Sequence, residues 1–184
     1  MKRKTTRGMS LLELMIALAV LVVGLLALMA LVMTAVASNS RNRTDTSGTF
    51  VAQIFIENIL KQPNSTAVTI TDCAGNNVTV QSAPPGTVNT GTGANLMADG
   101  SGRIDFTQDA STVTTGYHAL YVGCGDGGKN TTYDVRWNVW NISPYSRQVT
   151  VAARINTALG AGSAGLGGVY FAVPANLRSI VTTY

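Results

Sequence analysis

The sequence has few of the residues that form active sites. Of its 184 residues only 12% are charged and 7% aromatic, and His118 is the single histidine. Catalysis by a serine–histidine or cysteine–histidine pair would have to involve His118, whose neighbours Tyr117 and Ala119 are typical of a strand. The glycine-rich stretches also lack the lysine followed by serine or threonine that a phosphate-binding loop requires. We therefore expect neither an enzyme nor a cofactor.

An excess of charge of one sign is also absent once the N-terminus is set aside. The formal net charge is +4, from thirteen lysines and arginines against nine acids. Four of the basic residues lie in the first seven positions, which leaves nine of each sign in the rest of the chain. A body without net charge offers no basic stripe for phosphates, so we expect no nucleic-acid partner. A basic tip before an apolar run marks the side held in the cytoplasm.

Proline does not occur before Pro63. Residues 14–33 form an apolar run of twenty residues that contains no charged side chain. Such a run forms a helix about 30 Å long, which matches the hydrocarbon core of a bilayer. A buried helix of a soluble protein would normally show a polar face, and this run has none. We predict that it spans a membrane.

One carboxylate, that of Glu13, stands directly against this run, and apolar residues also precede it. An ionised carboxylate that enters a bilayer costs free energy and calls for a partner. Ser10 and Glu13 also have the spacing of a capping box, in which both side chains satisfy free N–H groups at a helix start. The two interpretations are compatible, because capping does not explain why apolar residues precede the charge.

The segment from Arg7 to Leu18, RGMSLLELMIAL, resembles the class III signal of type IV prepilins and type II secretion pseudopilins. The resemblance implies that a prepilin peptidase cuts after Gly8 and that the new amino terminus on Met9 is methylated. It implies that Glu13 pairs with the amino terminus of a neighbouring subunit. Other pilin subunits, the inner membrane and the pilus assembly platform are then the partners. The protein would lie in the bacterial inner membrane before assembly and in the pilus at the cell surface afterwards.

Within this resemblance, a minor type IV pilin is the favoured function. Major pilins usually carry a proline near the middle of the span, where this chain has Ala30. The first 60 or so residues are also similar to PilV-type minor pilins. One alternative is a type II secretion pseudopilin. Another is a conventionally secreted protein cut after Ala37, because Ala35-Val36-Ala37 has the pattern of small residues that a general signal-peptide cleavage site shows.

We expect three parts in the chain. The resemblance implies that residues 1–8 are a leader that is removed. Composition predicts that residues 9–62 form a helix, which spans the membrane to about residue 37, and that residues 63–184 form a β-rich periplasmic head. After the span, apolar residues from Phe50 to Ile59 recur at helical spacing, so this stripe should pack under the head, with Gly48 loosening the helix locally. The expected fold class is α+β and pilin-like, with the long helix packed on an antiparallel sheet.

Alternating stretches predict strands in the head at residues 68–71, 78–80, 117–122, 133–140, 148–155 and 169–173. Residues 133–140 and 148–155 should form a hairpin, with Tyr133, Val135, Trp137 and Val139 on one face. Residues 81–102 are rich in proline, glycine, asparagine and threonine, which predicts a long surface loop. We expect a sheet with one covered face, on which the helix lies.

The only two cysteines, Cys73 and Cys124, both fall in the head. In an exported domain they can form one disulfide, which would stabilise the fold by about 3 kcal/mol. A zinc site is the competing interpretation, but one histidine and two cysteines are too few ligands for a closed site. Residues 99–105 resemble a calcium loop only faintly, because Arg103 takes a ligand position. We therefore expect no metal.

Overall fold

The computed structural model describes residues 10–62, 67–125, 130–156 and 174–182. It shows an α+β protein, in which a long N-terminal helix is followed by a two-stranded and a five-stranded antiparallel sheet. The chain divides into two compact units, one up to Asn42 and the other from Arg43. Gly8, Met9 and the strand expected at residues 169–173 lie outside the described residues.

The helix α1 runs over 51 residues, Leu11–Lys61. Leucine, alanine and methionine dominate its first half, and these residues have high helix propensity. Its segment Leu11–Asn39 is long and apolar enough to cross a membrane, and none of its most apolar window is buried by the rest of the chain. Exposure of an apolar surface of this extent is unfavourable in water and favourable in lipid.

The second unit contains seven strands, β1 (Val68–Thr71), β2 (Asn77–Val80), β3 (Thr90–Gly93), β4 (His118–Gly123), β5 (Thr131–Ser143), β6 (Ser146–Ile155) and β7 (Ala175–Thr182). Strands β1 and β2 form a small hairpin. The long strand β5 is central in the larger sheet, with β6 and then β7 on one side. On the other side, β3 pairs with its C-terminal part and β4 with its N-terminal part.

The hairpin predicted from residues 133–140 and 148–155 is confirmed as β5 and β6. Two strands were not foreseen. Strand β3 lies inside residues 81–102, where we expected only a loop, and β7 follows the glycine-rich stretch. Strand β3 has the sequence Thr-Gly-Thr-Gly, which has little strand propensity, and it forms because the edge of β5 offers it partners.

One face of the large sheet, the helix face, carries the apolar core. Most of its apolar residues on the two central strands are buried, namely Tyr133, Val135, Trp137 and Val139 of β5, and Val149, Val151 and Ala153 of β6. Ile155 at the end of β6 is partly buried. The second half of α1 covers this face, with the ring of Phe55 centred 5.4 Å from that of Tyr121 and 5.5 Å from that of Trp137. The covering stripe begins at Val51, because the side chain of Phe50 is 63% exposed.

The opposite face, the loop face, is covered as well. Asp134, Arg136 and Asn138 of β5 are buried on it. Residues 94–113, called the cover segment below, lie across them. The side-chain amide of Asn138 donates to the carbonyl of Ala94 at 2.8 Å, and Arg136 donates to that of Gln108 at 2.6 Å. The expectation of a sheet with one covered face is therefore wrong.

Candidate functional site

Glu13 lies in the first turn of α1, where its side chain is exposed. The backbone N–H groups of Glu13 and Leu14 both donate to the carbonyl of Ser10, at 3.0 and 3.2 Å. Among the described residues, no side-chain hydrogen bond joins Ser10 and Glu13 as a capping box would require. An acid in the first turn still interacts favourably with the positive end of the helix dipole. Its carboxylate therefore stands exposed at the start of the apolar helix.

The two cysteines are joined, with a Cα–Cα distance of 5.4 Å and a sequence separation of 51. This bond fastens the turn of the β1–β2 hairpin to the end of β4. Asp72 strengthens the same junction, because its carboxylate accepts from the N–H groups of Ala74, Asn76 and Val122. Desolvation opposes ionisation of Asp72, but these hydrogen bonds outweigh it and lower the pKa of its carboxyl.

Arg147 fixes the end of the long helix to the sheet. It lies on the helix face of β6 and is almost completely buried. Its guanidinium donates to the carbonyls of Gln62 at 2.7 Å, of Ile59 at 3.4 Å and of Ser82. A cation is favourable at a helix C-terminus, where carbonyl groups are left without partners. Burial lowers the pKa of Arg147 from its ordinary value.

A charged cluster occupies the loop face around Asp134. Arg136 donates to both carboxylate oxygens, at 2.9 and 2.8 Å, and Arg154 approaches one of them at 3.4 Å. Nε2 of His118 lies 3.2 Å from the other oxygen. Burial raises the pKa of Asp134, but the polar contact of His118 and the hydrogen bonds of Arg136 prevail and lower it to about 2.

Phe106 of the cover segment completes this cluster. The guanidinium carbons of Arg136 and Arg154 lie 4.9 and 4.5 Å from the centre of its ring. The two arginines thus bind the sheet to the cover segment through cation–π contacts, while Asp134 neutralises part of their charge. Both arginines contact Asp134 and Phe106, whereas Nε2 of His118 is buried near the carboxylate without a well-oriented hydrogen bond among the described residues. The cluster therefore ties the sheet to the cover segment.

Residues 99–105, which faintly resemble a calcium loop, are held together by hydrogen bonds of Arg103. The guanidinium of Arg103 donates to the carboxylate of Asp99 and to the hydroxyl of Ser101, both at 3.1 Å. Hydrogen bonds from Ser101 and Arg103 lower the pKa of Asp99 to about 2. In the part of the chain that the structure describes, no group of three histidine, cysteine or acidic side chains is placed to hold a metal ion.

Sequence reasoning missed Arg147 and the Asp134 cluster. The alternation of β5 placed Asp134, Arg136 and Asn138 on one face, which is the pattern of a solvent-facing side, and nothing local shows that residues 94–113 return to cover it. Arg147 directly follows the hairpin turn and resembles any surface arginine in sequence. Comparison with known proteins adds nothing to these assignments. No family model, curated protein or solved structure matches the chain.

Proposed function

We propose that this chain is a minor type IV pilin, a structural subunit that prepilin peptidase processes and that enters a pilus. The observation that carries the proposal is the two-part character of α1. Its first part is wholly apolar and uncovered, with one carboxylate at the start, while its last turns form the core of the head. A helix of this kind joins a folded head to an apolar environment made by lipid or by other helices.

Glu13 has a definite task in this proposal. Before assembly its carboxylate lies near the membrane interface, and in the filament it pairs with the amino terminus of Met9 from a neighbouring subunit. Two opposite charges that are each costly in an apolar helix bundle stabilise one another there and set the axial register. The exposed position of Glu13 on α1 leaves its carboxylate accessible to such a partner.

The alternatives differ in what they require of the helix. A type II secretion pseudopilin needs the same processing and the same helix, and differs only in the filament that it joins. A secreted protein cut after Ala37 needs a cleavable site there, yet α1 continues without a break through Ala37 and on to Lys61. It would also leave Glu13 without a role.

The first test is mass spectrometry of the mature N-terminal peptide from the native host. The proposal requires loss of eight residues and a methylated amino group on Met9. A mature chain that begins at Ser38 would mean conventional secretion and would remove the assembly role of Glu13. Recovery of the processed protein in sheared surface filaments, rather than in the secretion apparatus, separates a pilin from a pseudopilin.

The second test substitutes the acid. Glu13→Ala should leave membrane insertion and cleavage intact but reduce recovery in sheared pili by about tenfold or more, because the amino terminus of the neighbour is left unpaired in an apolar core. Glu57→Ala is the matched control, since Glu57 lies on the same helix and is exposed, where it accepts a hydrogen bond from Gln53. Equal recovery of both variants would contradict the register role.

A further inference from the structure

On the loop face, one end of the large sheet carries no charged side chain, whereas the buried Arg147 at the same end lies on the helix face. Three segments meet there, namely residues 84–92, 137–146 and 179–182, and none of them contains an acid, a lysine, an arginine or a histidine. Backbone pairing joins them, with Thr90 opposite Asn141 and Ser146 opposite Thr182. We call this region the charge-free end. The other end of the loop face carries the Asp134 cluster, so the polarity of the face changes along the strands.

The cover segment leaves the loop face open at the charge-free end. Among the described residues, its hydrogen bonds nearest to this end are those from Asn138 to the carbonyl of Ala94 and from Arg178 to the carbonyl of Ser101. Beyond them, the register places Gly91, Trp140, Gln148 and Ile180 in one row across four strands. Ile180 is 61% exposed, and Tyr145 at the tip of the hairpin is 73% exposed.

Trp140 lies across the sheet rather than standing away from it. A β-carbon added at Gly91 would be 2.6 Å from Cε3 of Trp140, so the six-membered ring of the indole fills the space of the missing side chain. The ring is therefore supported by β3, and the half-buried side chain of Trp140 keeps part of its surface exposed. A rigid, supported aromatic face is suited to stacking against a flat ligand.

Gln148 lies opposite Trp140 on the neighbouring strand, and Tyr145 lies in the turn of the same hairpin. Within the described residues, the indole N–H of Trp140, the amide of Gln148 and the hydroxyl of Tyr145 make no side-chain hydrogen bond. Trp137, three residues earlier, shows the opposite behaviour, because its indole N–H donates to the carbonyl of Gln81 at 2.8 Å. A purely apolar partner would bury the three free groups at a cost for each, whereas a hydroxyl-rich partner would satisfy them.

From these observations we infer that the charge-free end is a binding site for an uncharged oligosaccharide. A pyranose ring stacks on the exposed part of the Trp140 ring, and its hydroxyl groups bond with the amide of Gln148 and the hydroxyl of Tyr145. The lack of charge disfavours phosphate or acidic ligands, and the open sheet surface suits a chain of sugars on a cell surface. This inference goes beyond the proposed function and does not depend on entry into a filament.

The test uses the full chain, purified in a detergent without a sugar headgroup, on an array of uncharged oligosaccharides built from hexoses and N-acetylhexosamines. The wild-type protein should bind at least one member. Trp140→Ala should weaken that binding by about tenfold or more, and Gln148→Ala by a smaller factor. Leu120→Ala is the matched control, because Leu120 is 51% exposed on the same face at the charged end and its loss should change nothing.

Tyr145→Phe guards against a folding defect in Trp140→Ala, since it removes one exposed hydroxyl and keeps the ring. It should weaken binding by a few-fold, while the fluorescence of buried Trp137 stays unchanged. Absence of binding to every member of the array would overturn the inference. Equal binding of the oligosaccharide by the wild type, Trp140→Ala and Tyr145→Phe would also overturn it. So would a result in which substitution of Trp140 abolishes binding to a protein partner and leaves oligosaccharide binding unchanged.

Discussion

The two faces of the large sheet are buried by different means. Apart from Arg147 at its edge, the helix face is closed by apolar side chains of α1 and of the strands, whose contacts follow from the hydrophobic effect and need no particular orientation. The loop face is closed by a segment with little regular structure, which hydrogen bonds and ion pairs hold on the sheet. Such contacts contribute only when each polar group finds its partner.

This difference has consequences for substitution. On the helix face, the loss of a side chain should cost free energy in proportion to the volume removed, independently of pH. On the loop face, the loss of one charge leaves another buried without its partner, and the stability should depend on the ionisation of Asp134. Substitutions on each face therefore test the comparison directly.

The largest effect is expected on the helix face. Phe55→Ala should lower the free energy of unfolding by about 4 kcal/mol, because it leaves a cavity between α1 and the sheet. Urea unfolding of the detergent-solubilised protein, followed by tryptophan fluorescence, measures it, and Trp137 reports directly because its ring contacts that of Phe55. Phe50→Ala is the control on the same helix and should change stability by less than about 0.5 kcal/mol. Similar losses for both would mean that α1 lies differently on the sheet.

The next effect belongs to the loop face and depends on pH. The pKa of Asp134 is lowered to about 2 from an ordinary value of 3.8. Its ionisation therefore contributes stability that is fully present above about pH 4 and is lost as the pH falls towards 2, in total about 2 kcal/mol. Asp134→Asn should remove this pH dependence and lower stability at neutral pH by a similar amount, since Arg136 loses its buried counter-charge.

Asp99→Asn provides the control for this pH dependence. The pKa of Asp99 is lowered to about 2 as well, but its side chain and that of its partner Arg103 are largely exposed. Solvent screens such a pair, so the variant should unfold like the wild type at neutral pH. An unchanged acid limb of the stability curve in Asp134→Asn would show that the cluster does not hold the loop face together.

The helix face could be predicted from the sequence and the loop face could not. The period-two pattern of Tyr133, Val135, Trp137 and Val139 and the helical spacing of Phe55 and Ile59 are local signals, and each describes one face of one element. The cover segment has no periodicity, and its contacts join residues far apart in the chain, such as Arg136 with Gln108. Only the folded chain shows which polar groups meet.

The same distinction applies to the candidate sites. The disulfide was predictable because the chain has only one pair of cysteines. The motif around Glu13 is recognisable because the processing and insertion that we propose would act on a linear segment. The charge-free end was not predictable, since Gly91, Trp140 and Ile180 come together only through strand register, and both β3 and β7 escaped prediction.

The smallest effect concerns how closely α1 approaches the sheet. We expected Gly48 to loosen the helix, but α1 continues through it, and Gly48 is buried against Ala153 and Ala175. An added β-carbon would lie 3.6 Å from the carbonyl oxygen of Ala153 and 3.9 Å from Cβ of Ala175, which is ordinary contact. Gly48→Ala should therefore raise the free energy of unfolding by about 0.5–1 kcal/mol through helix propensity alone. Gly48→Leu should lower the free energy of unfolding, because the leucine side chain needs more room than one added carbon. A loss of stability in Gly48→Ala would mean that the space between α1 and the sheet cannot accept even a single β-carbon at this position.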